Sequence, residues 1–127
     1  MANASYPADL LYHAEHDWAR IDGDLATFGV TWFAQDALGE VVFFDPPSVG
    51  TTVAAGETYA EVESVKAVSD VIAPLSGEIV EVNTALGDAP EAINSDPYGD
   101  GWMVKVRLSD TAEVDSLLDV SAYRDLL

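Results

Sequence analysis

Residues 59–74 read YAEVESVKAVSDVIAP, two runs of small and β-branched residues on either side of a single lysine. Valine and isoleucine at alternating positions favour strands, so the stretch predicts a β-hairpin with Lys66 at its turn, between Val65 and Ala67. The chain has only two lysines, Lys66 and Lys105. The tip carries no Gly, Asn or Pro of the kind that tight turns favour. Turn geometry therefore does not explain Lys66, and a chemical role is expected for it.

Working outward, the chain reads as mainly β. Leu11 to Phe28 predicts two strands joined at Asp22-Gly23, with Trp18, Ile21, Leu25 and Phe28 as apolar positions. Thr31 is a candidate N-cap for a short helix over Trp32–Leu38, and Gly39 follows its end. Gly39-Glu40-Val41-Val42 recurs as Gly77-Glu78-Ile79-Val80, Ser48-Val49-Gly50 as Ala85-Leu86-Gly87, and Gly56-x-x-Tyr59 as Gly99-x-x-Trp102. The second copy is the longer, with a helical turn and loop expected over Pro90–Tyr98. Two copies of a short β unit predict two small antiparallel sheets packed face to face with pseudo-twofold symmetry, the Lys66 hairpin protruding where the copies join. Ser109 or Asp110 is expected to cap a C-terminal helical region with Val114, Leu117 and Leu118 on one face, and Asp119 a second piece in which Tyr123, Leu126 and Leu127 share a face. These elements predict one domain over residues 1–127, with a core at about 11–108 and a helical cover at about 109–127 that shields a sheet edge. Residues 1–10 read as a loosely held lead-in.

Composition excludes several classes. At 127 residues the chain can bury one core. Hydrophobic residues make up 49%, but no run approaches the roughly 18 apolar residues of a membrane span. The opening MANASYPADL lacks both a basic region and an apolar core, so no targeting peptide is expected and the cytoplasm is the expected compartment. Without cysteine the polypeptide supplies no disulfide, thiolate ligand or cysteine nucleophile. The 23 acidic and 5 basic side chains give a formal charge of −18, which repels nucleic acid and anionic lipid. Disorder would need a less hydrophobic chain. A folded domain in concentrated salt is expected instead, since molar salt shortens the reach of self-repulsion to roughly 3 Å.

Among candidate chemical groups, His13 and His16 flank Glu15, yet in a strand they fall on opposite faces and no further ligands accompany them, so no metal is expected. Gly99-Asp100-Gly101 is too short for a phosphate loop and reads as a turn before Trp102. No Gly-x-Ser-x-Gly is present. Lys66 is different, being a primary amine with the slim neighbours Val65 and Ala67 and the polar handles Glu63, Ser64 and Asp70. A modifying enzyme needs that access to form an amide.

Taken together, ESVKAVSD at 63–70 and Gly77 resemble a lipoyl-lysine motif. His16-Asp17-Trp18, AQDALGEVVF at 34–43, PSVGTTVAAGE at 47–57, APLSGEIVEVN at 73–83 and NSDPYGDGWMVKV at 94–106 extend the likeness to the H-protein family of the glycine cleavage system over nearly the whole chain. The resemblance implies a barrel-sandwich hybrid fold, like that of lipoyl domains, and a carrier in place of a catalyst. It implies lipoic acid in amide linkage to Lys66, attached by a lipoate ligase or a lipoyl/octanoyl transferase, within the motif Glu63, Ser64, Val65 and Ala67. Implied partners are a pyridoxal-phosphate glycine decarboxylase, a tetrahydrofolate-dependent aminomethyltransferase and a flavin-dependent dihydrolipoamide dehydrogenase, and the carrier is expected to be monomeric. A lysine stem plus a lipoyl chain spans roughly 14 Å from single-bond lengths. By motif position the resemblance places Asp17 and Asp70, with Glu15 beside them, in a surface cleft that shelters the amine-bearing arm. Asp17 stands where the family usually has Glu, so its carboxylate is one methylene shorter. Two other carriers fit less of the pattern: a lipoyl donor in a relay to other complexes, and a biotinyl domain, whose lysine is typically flanked by methionines where this chain has Val65 and Ala67.

Overall fold

The computed structural model describes residues 6–127, so the first half of the expected lead-in lies outside the described residues. Among the described residues, nine strands form two antiparallel sheets. The larger has the order β1 (Leu11–His13), β2 (Asp17–Asp22), β3 (Leu25–Val30), β9 (Val104–Leu108), β8 (Gly77–Val82), β5 (Thr52–Val53). The smaller has the order β4 (Val41–Asp45), β6 (Thr58–Ser64), β7 (Val68–Ile72).

The two copies of the internal repeat do not form separate sheets. β4, β5 and β6 lie in the first copy and β8 and β9 in the second, yet β5 pairs with β8 in the larger sheet, while β7, after the Lys66 turn that joins the copies, pairs back with β6 in the smaller one. The larger sheet thus contains strands of both copies, and the β6–β7 hairpin is continuous with the small sheet. Phe28, Phe44, Val62, Val71, Leu75, Ile79, Ile93, Met103 and Val106 fill the space between the sheets. Alternation along β6, where Ala60, Val62 and Ser64 are buried and Glu61 and Glu63 exposed, is the pattern of a sheet with one wet face.

Three details differ from the sequence reading. The stretch expected to hold two strands holds three, because the short β1 folds back on β2 across the turn at residues 14–16. The turn expected at Asp22-Gly23 is centred on Gly23 and Asp24, with Asp22 and Leu25 as its closing pair, and Leu25 is exposed. Leu10, expected in a loose lead-in, is 1% exposed and packs with Tyr12, Trp18 and Tyr123 in a second, smaller core.

Short helices close the ends. Helix α1 (Trp32–Leu38) is capped by Thr31, whose Oγ1 accepts the Ala34 N–H, and ends at Gly39, whose φ of 80° suits glycine. Helix α2 (Ala92–Ser95) occupies the insertion in the second copy. At the C-terminus a 3-10 turn (Thr111–Ser116) capped by Asp110 leads to α3 (Val120–Arg124) capped by Asp119. Leu118 bridges Tyr12, covering the outer edge of β1. Tyr123 is buried there, but Leu126 and Leu127, expected on the same face, are exposed because the helix stops at Arg124.

Candidate functional site

Lys66 sits in the β6–β7 turn, exposed together with Val65, Ala67 and Val68. The missing turn residue is supplied by a side chain. Ser64 Oγ accepts the N–H of Lys66 at 3.3 Å and that of Ala67 at 3.1 Å, while the Ser64 N–H donates to the Ala67 carbonyl at 2.8 Å. The Val65 N–H donates to the Glu40 carbonyl at 3.0 Å. Every backbone N–H of the tip therefore has a partner, with no glycine required, which corrects the expectation of a turn lacking turn chemistry.

The Glu40 segment is itself anchored. Asn94, on α2, donates through Nδ2 to the Gly39 carbonyl at 2.8 Å and to Gln35 Oε1 at 3.1 Å, and its Oδ1 accepts the Val41 N–H at 2.8 Å. One amide from a distant insertion thus ties the end of α1 to the start of β4, directly under the hairpin. The Lys66 stem lies over Gly39, its Cε 3.4 Å from where a Cβ would stand.

Beside the hairpin opens a cleft of about 330 Å³ lined by α1, the β1–β2 turn and β7. Its walls are apolar at Val30, Phe33, Ala34, Leu38, Val62 and Val71, and its polar lining includes Glu15, His16, Asp17, Ser69 and Asp70. The three acids of the sequence reading therefore share one cleft with Ala67 and Val68 on its rim. Glu63 does not line it; it faces out of the small sheet between Phe43 and Val68.

The acids are not equivalent. Glu15 and Asp70 are exposed, whereas Asp17 is 2% exposed, and its Oδ2 is the one buried side-chain N or O without a hydrogen-bond partner among the described residues. Burial, and secondarily the Glu15 carboxylate, hold the Asp17 acid well above its usual range; the backbone N–H of Ile72 acts in the opposite direction. Asp17 therefore holds its proton more tightly than an exposed carboxyl does and is not one more surface charge.

His16 departs from its expected strand position, lying in the β1–β2 turn with φ of 73°. Its Nδ1 is hydrogen-bonded with the Tyr123 hydroxyl at 2.8 Å and its ring lies 4.4 Å from that of Phe33. Burial lowers its basicity. His13 instead accepts the Glu15 N–H through its Nδ1. Sequence reasoning missed Asn94, Tyr123 and the turn role of Ser64; Asn94 stood within a matched motif, which was the available signal.

The arrangement offers a fixed, reachable primary amine beside an apolar cleft that ends in a buried acid. The profile described as glycine cleavage H-protein matches residues 10–127. The glycine cleavage system H protein of Symbiobacterium thermophilum is 54% identical over 120 residues, 94% of each chain, and the probable glycine cleavage system H protein of Haloarcula marismortui is 54% identical over 119 residues, again 94% of each. A crystal structure of a glycine cleavage system H protein from Mycobacterium marinum superposes with a TM-score of 0.86 at 48% identity, covering 94% of this chain and 97% of that one. With the fold, the motif order and these relatives in agreement, the chain belongs to the glycine cleavage H-protein family.

Proposed function

We propose that this protein is a lipoyl carrier whose attachment point is Lys66, and that it carries the aminomethyl group of glycine from a glycine decarboxylase to an aminomethyltransferase, with reoxidation by a dihydrolipoamide dehydrogenase. Lipoic acid in amide linkage to Lys66 supplies a dithiolane that opens to take up the group and closes on reoxidation. The observation that carries the reading is the Lys66 hairpin: an exposed amine on a turn whose N–H groups are all satisfied, next to a cleft with an unpartnered buried acid oxygen. A lipoate ligase or lipoyl/octanoyl transferase needs a lysine that projects without its backbone yielding, and Ser64 and Glu40 hold that backbone.

The chain's own residues then divide the work. Val65, Ala67 and Val68 keep the rim slim. Val30, Leu38, Val62 and Val71 exclude water from the cleft, which slows loss of a hydrolysable group bound there. Asp17 presents the oxygen that an arriving amine would meet; a proton moved from Asp17 Oδ2 to a neutral amine makes an ion pair without net charge entering the cleft. Asp70 and Glu15, at the open side, reinforce a cation from a more hydrated position.

Intact mass after expression in a lipoate-competent host should show a single lipoyl addition that Lys66→Arg abolishes. Glycine–bicarbonate exchange with the decarboxylase should follow the modified form alone. A lipoyl addition that survives in Lys66→Arg would overturn the site.

A further inference from the structure

We propose that Tyr123, in the C-terminal helical segment, is a positioning residue for the cleft, setting its amine-facing wall through His16 and Thr31. The inference rests on the arm-sheltering reading above and adds a residue outside every motif that pointed to it.

The Tyr123 hydroxyl is 2.8 Å from His16 Nδ1 and 2.8 Å from Thr31 Oγ1. These two partners control different sides of the cleft. Thr31 caps α1, which supplies Phe33, Ala34 and Leu38 to the wall. His16 packs at a tilt against Phe33 and immediately precedes Asp17, so the conformation of its turn aims the buried carboxylate. His16 has a positive φ, a conformation that side-chain-bearing residues rarely hold unless other contacts enforce it. Two contacts do so here: the Thr31 N–H donates to the His16 carbonyl at 3.0 Å, and the ring is held by Tyr123. A single hydroxyl therefore ties the helix cap to the turn that carries Asp17.

Packing alone does not account for that hydroxyl. The Tyr123 ring stacks on Tyr12 with centroids 4.7 Å apart and 10° between planes, an arrangement phenylalanine would preserve. The neighbouring Tyr12 hydroxyl donates to the Pro7 carbonyl and does not line the cleft, so Tyr12→Phe is a matched control from the same small core.

The test uses the lipoylated protein, reduced and given an amine-bearing arm chemically: one thiol adds to formaldehyde and ammonia with loss of one water, leaving the other thiol free. Iodoacetamide alkylation of that free thiol reports how far the arm is sheltered. The wild type should alkylate slowly with the amine present and quickly without it. Tyr123→Phe should alkylate the amine-bearing arm about three- to tenfold faster, the range expected for one lost hydrogen bond, while Tyr12→Phe stays at the wild-type rate. Thr31→Ser should retain protection and Thr31→Val should lose it. In nuclear magnetic resonance the His16 ring signals should shift on amine loading in the wild type, and by less in Tyr123→Phe. Unchanged protection in both Tyr123→Phe and Thr31→Val overturns this proposal alone. A wild-type arm without protection overturns the sheltering reading with it.

Discussion

Replacing Asp17 with asparagine removes one titrating proton while keeping the side chain's shape, and its effect should depend on pH in a calculable way. In the fold the Asp17 acid is held well above its ordinary value of 3.8, mainly by burial and next by Glu15. The unfolded chain ionises it near that ordinary value. Between the two values the native state binds the proton and the unfolded state does not, so wild-type stability falls as pH rises, by about 1.4 kcal/mol per pH unit. Below 3.8 both states are protonated and the penalty vanishes; above the folded-state value it is constant. Asp17→Asn has no such slope. The other carboxylates are common to both proteins, so the difference between their unfolding free energies isolates this one group. Urea unfolding in a fixed salt concentration at half-unit pH steps from 3.5 upward should show the variant gaining on the wild type at about 1.4 kcal/mol per unit, then levelling. The asparagine NH2 at the unpartnered Oδ2 position is also buried, which shifts the absolute offset but not the slope. A difference independent of pH would refute the tightly held Asp17 proton and with it the proton transfer to an arriving amine.

Ser64→Ala should cost about 1 kcal/mol, since two N–H groups lose one acceptor at a tip where water can replace it, and should raise the Michaelis constant for lipoylation more than it lowers the turnover rate; unchanged lipoylation kinetics would show that the turn need not be held. Gly77→Ala should cost about 1–3 kcal/mol or more by overpacking, because its Cβ would fall on the Arg107 carbonyl and 2.5 Å from Val106 Cγ1; a folded variant of wild-type stability in thermal unfolding would contradict the β8–β9 approach. Asp45 and Asp70 stand directly across from Glu61 on the small sheet, so Glu61→Gln should stabilise by roughly 0.2–1 kcal/mol per relieved pair in dilute buffer and give almost no gain in molar salt, where screening shortens to about 3 Å. The wild-type melting temperature should likewise climb from 0.1 M to 2 M potassium chloride; a flat response would dismiss self-repulsion as a determinant of its stability.

Features set by near neighbours along the chain were legible without coordinates. The Lys66 hairpin, α1 between Thr31 and Gly39, and the Asp110 and Asp119 caps each depend on a few consecutive residues whose hydrogen bonds close locally. The repeat also showed that two β units exist. What it could not convey was that β5 of the first copy pairs with β8 of the second, because pairing partners far apart in sequence are chosen by which sheet buries which face.

The cleft divides in the same way. Glu15, Asp17 and Asp70 could be nominated by position, but sequence makes them three similar carboxylates. Tertiary structure alone makes Asp17 the buried one, since β2 places it at the inner end of the cleft that α1 and β7 wall. Lys66 needed only its own hairpin to be recognised, yet its support comes from Ser64 within the hairpin, Glu40 in the bend between α1 and β4, and Asn94 from an insertion in the other copy. Local sequence thus determined where the amine is; long-range packing decided what stands beside it, because burial is a property of the whole fold and not of any residue's neighbours in the chain.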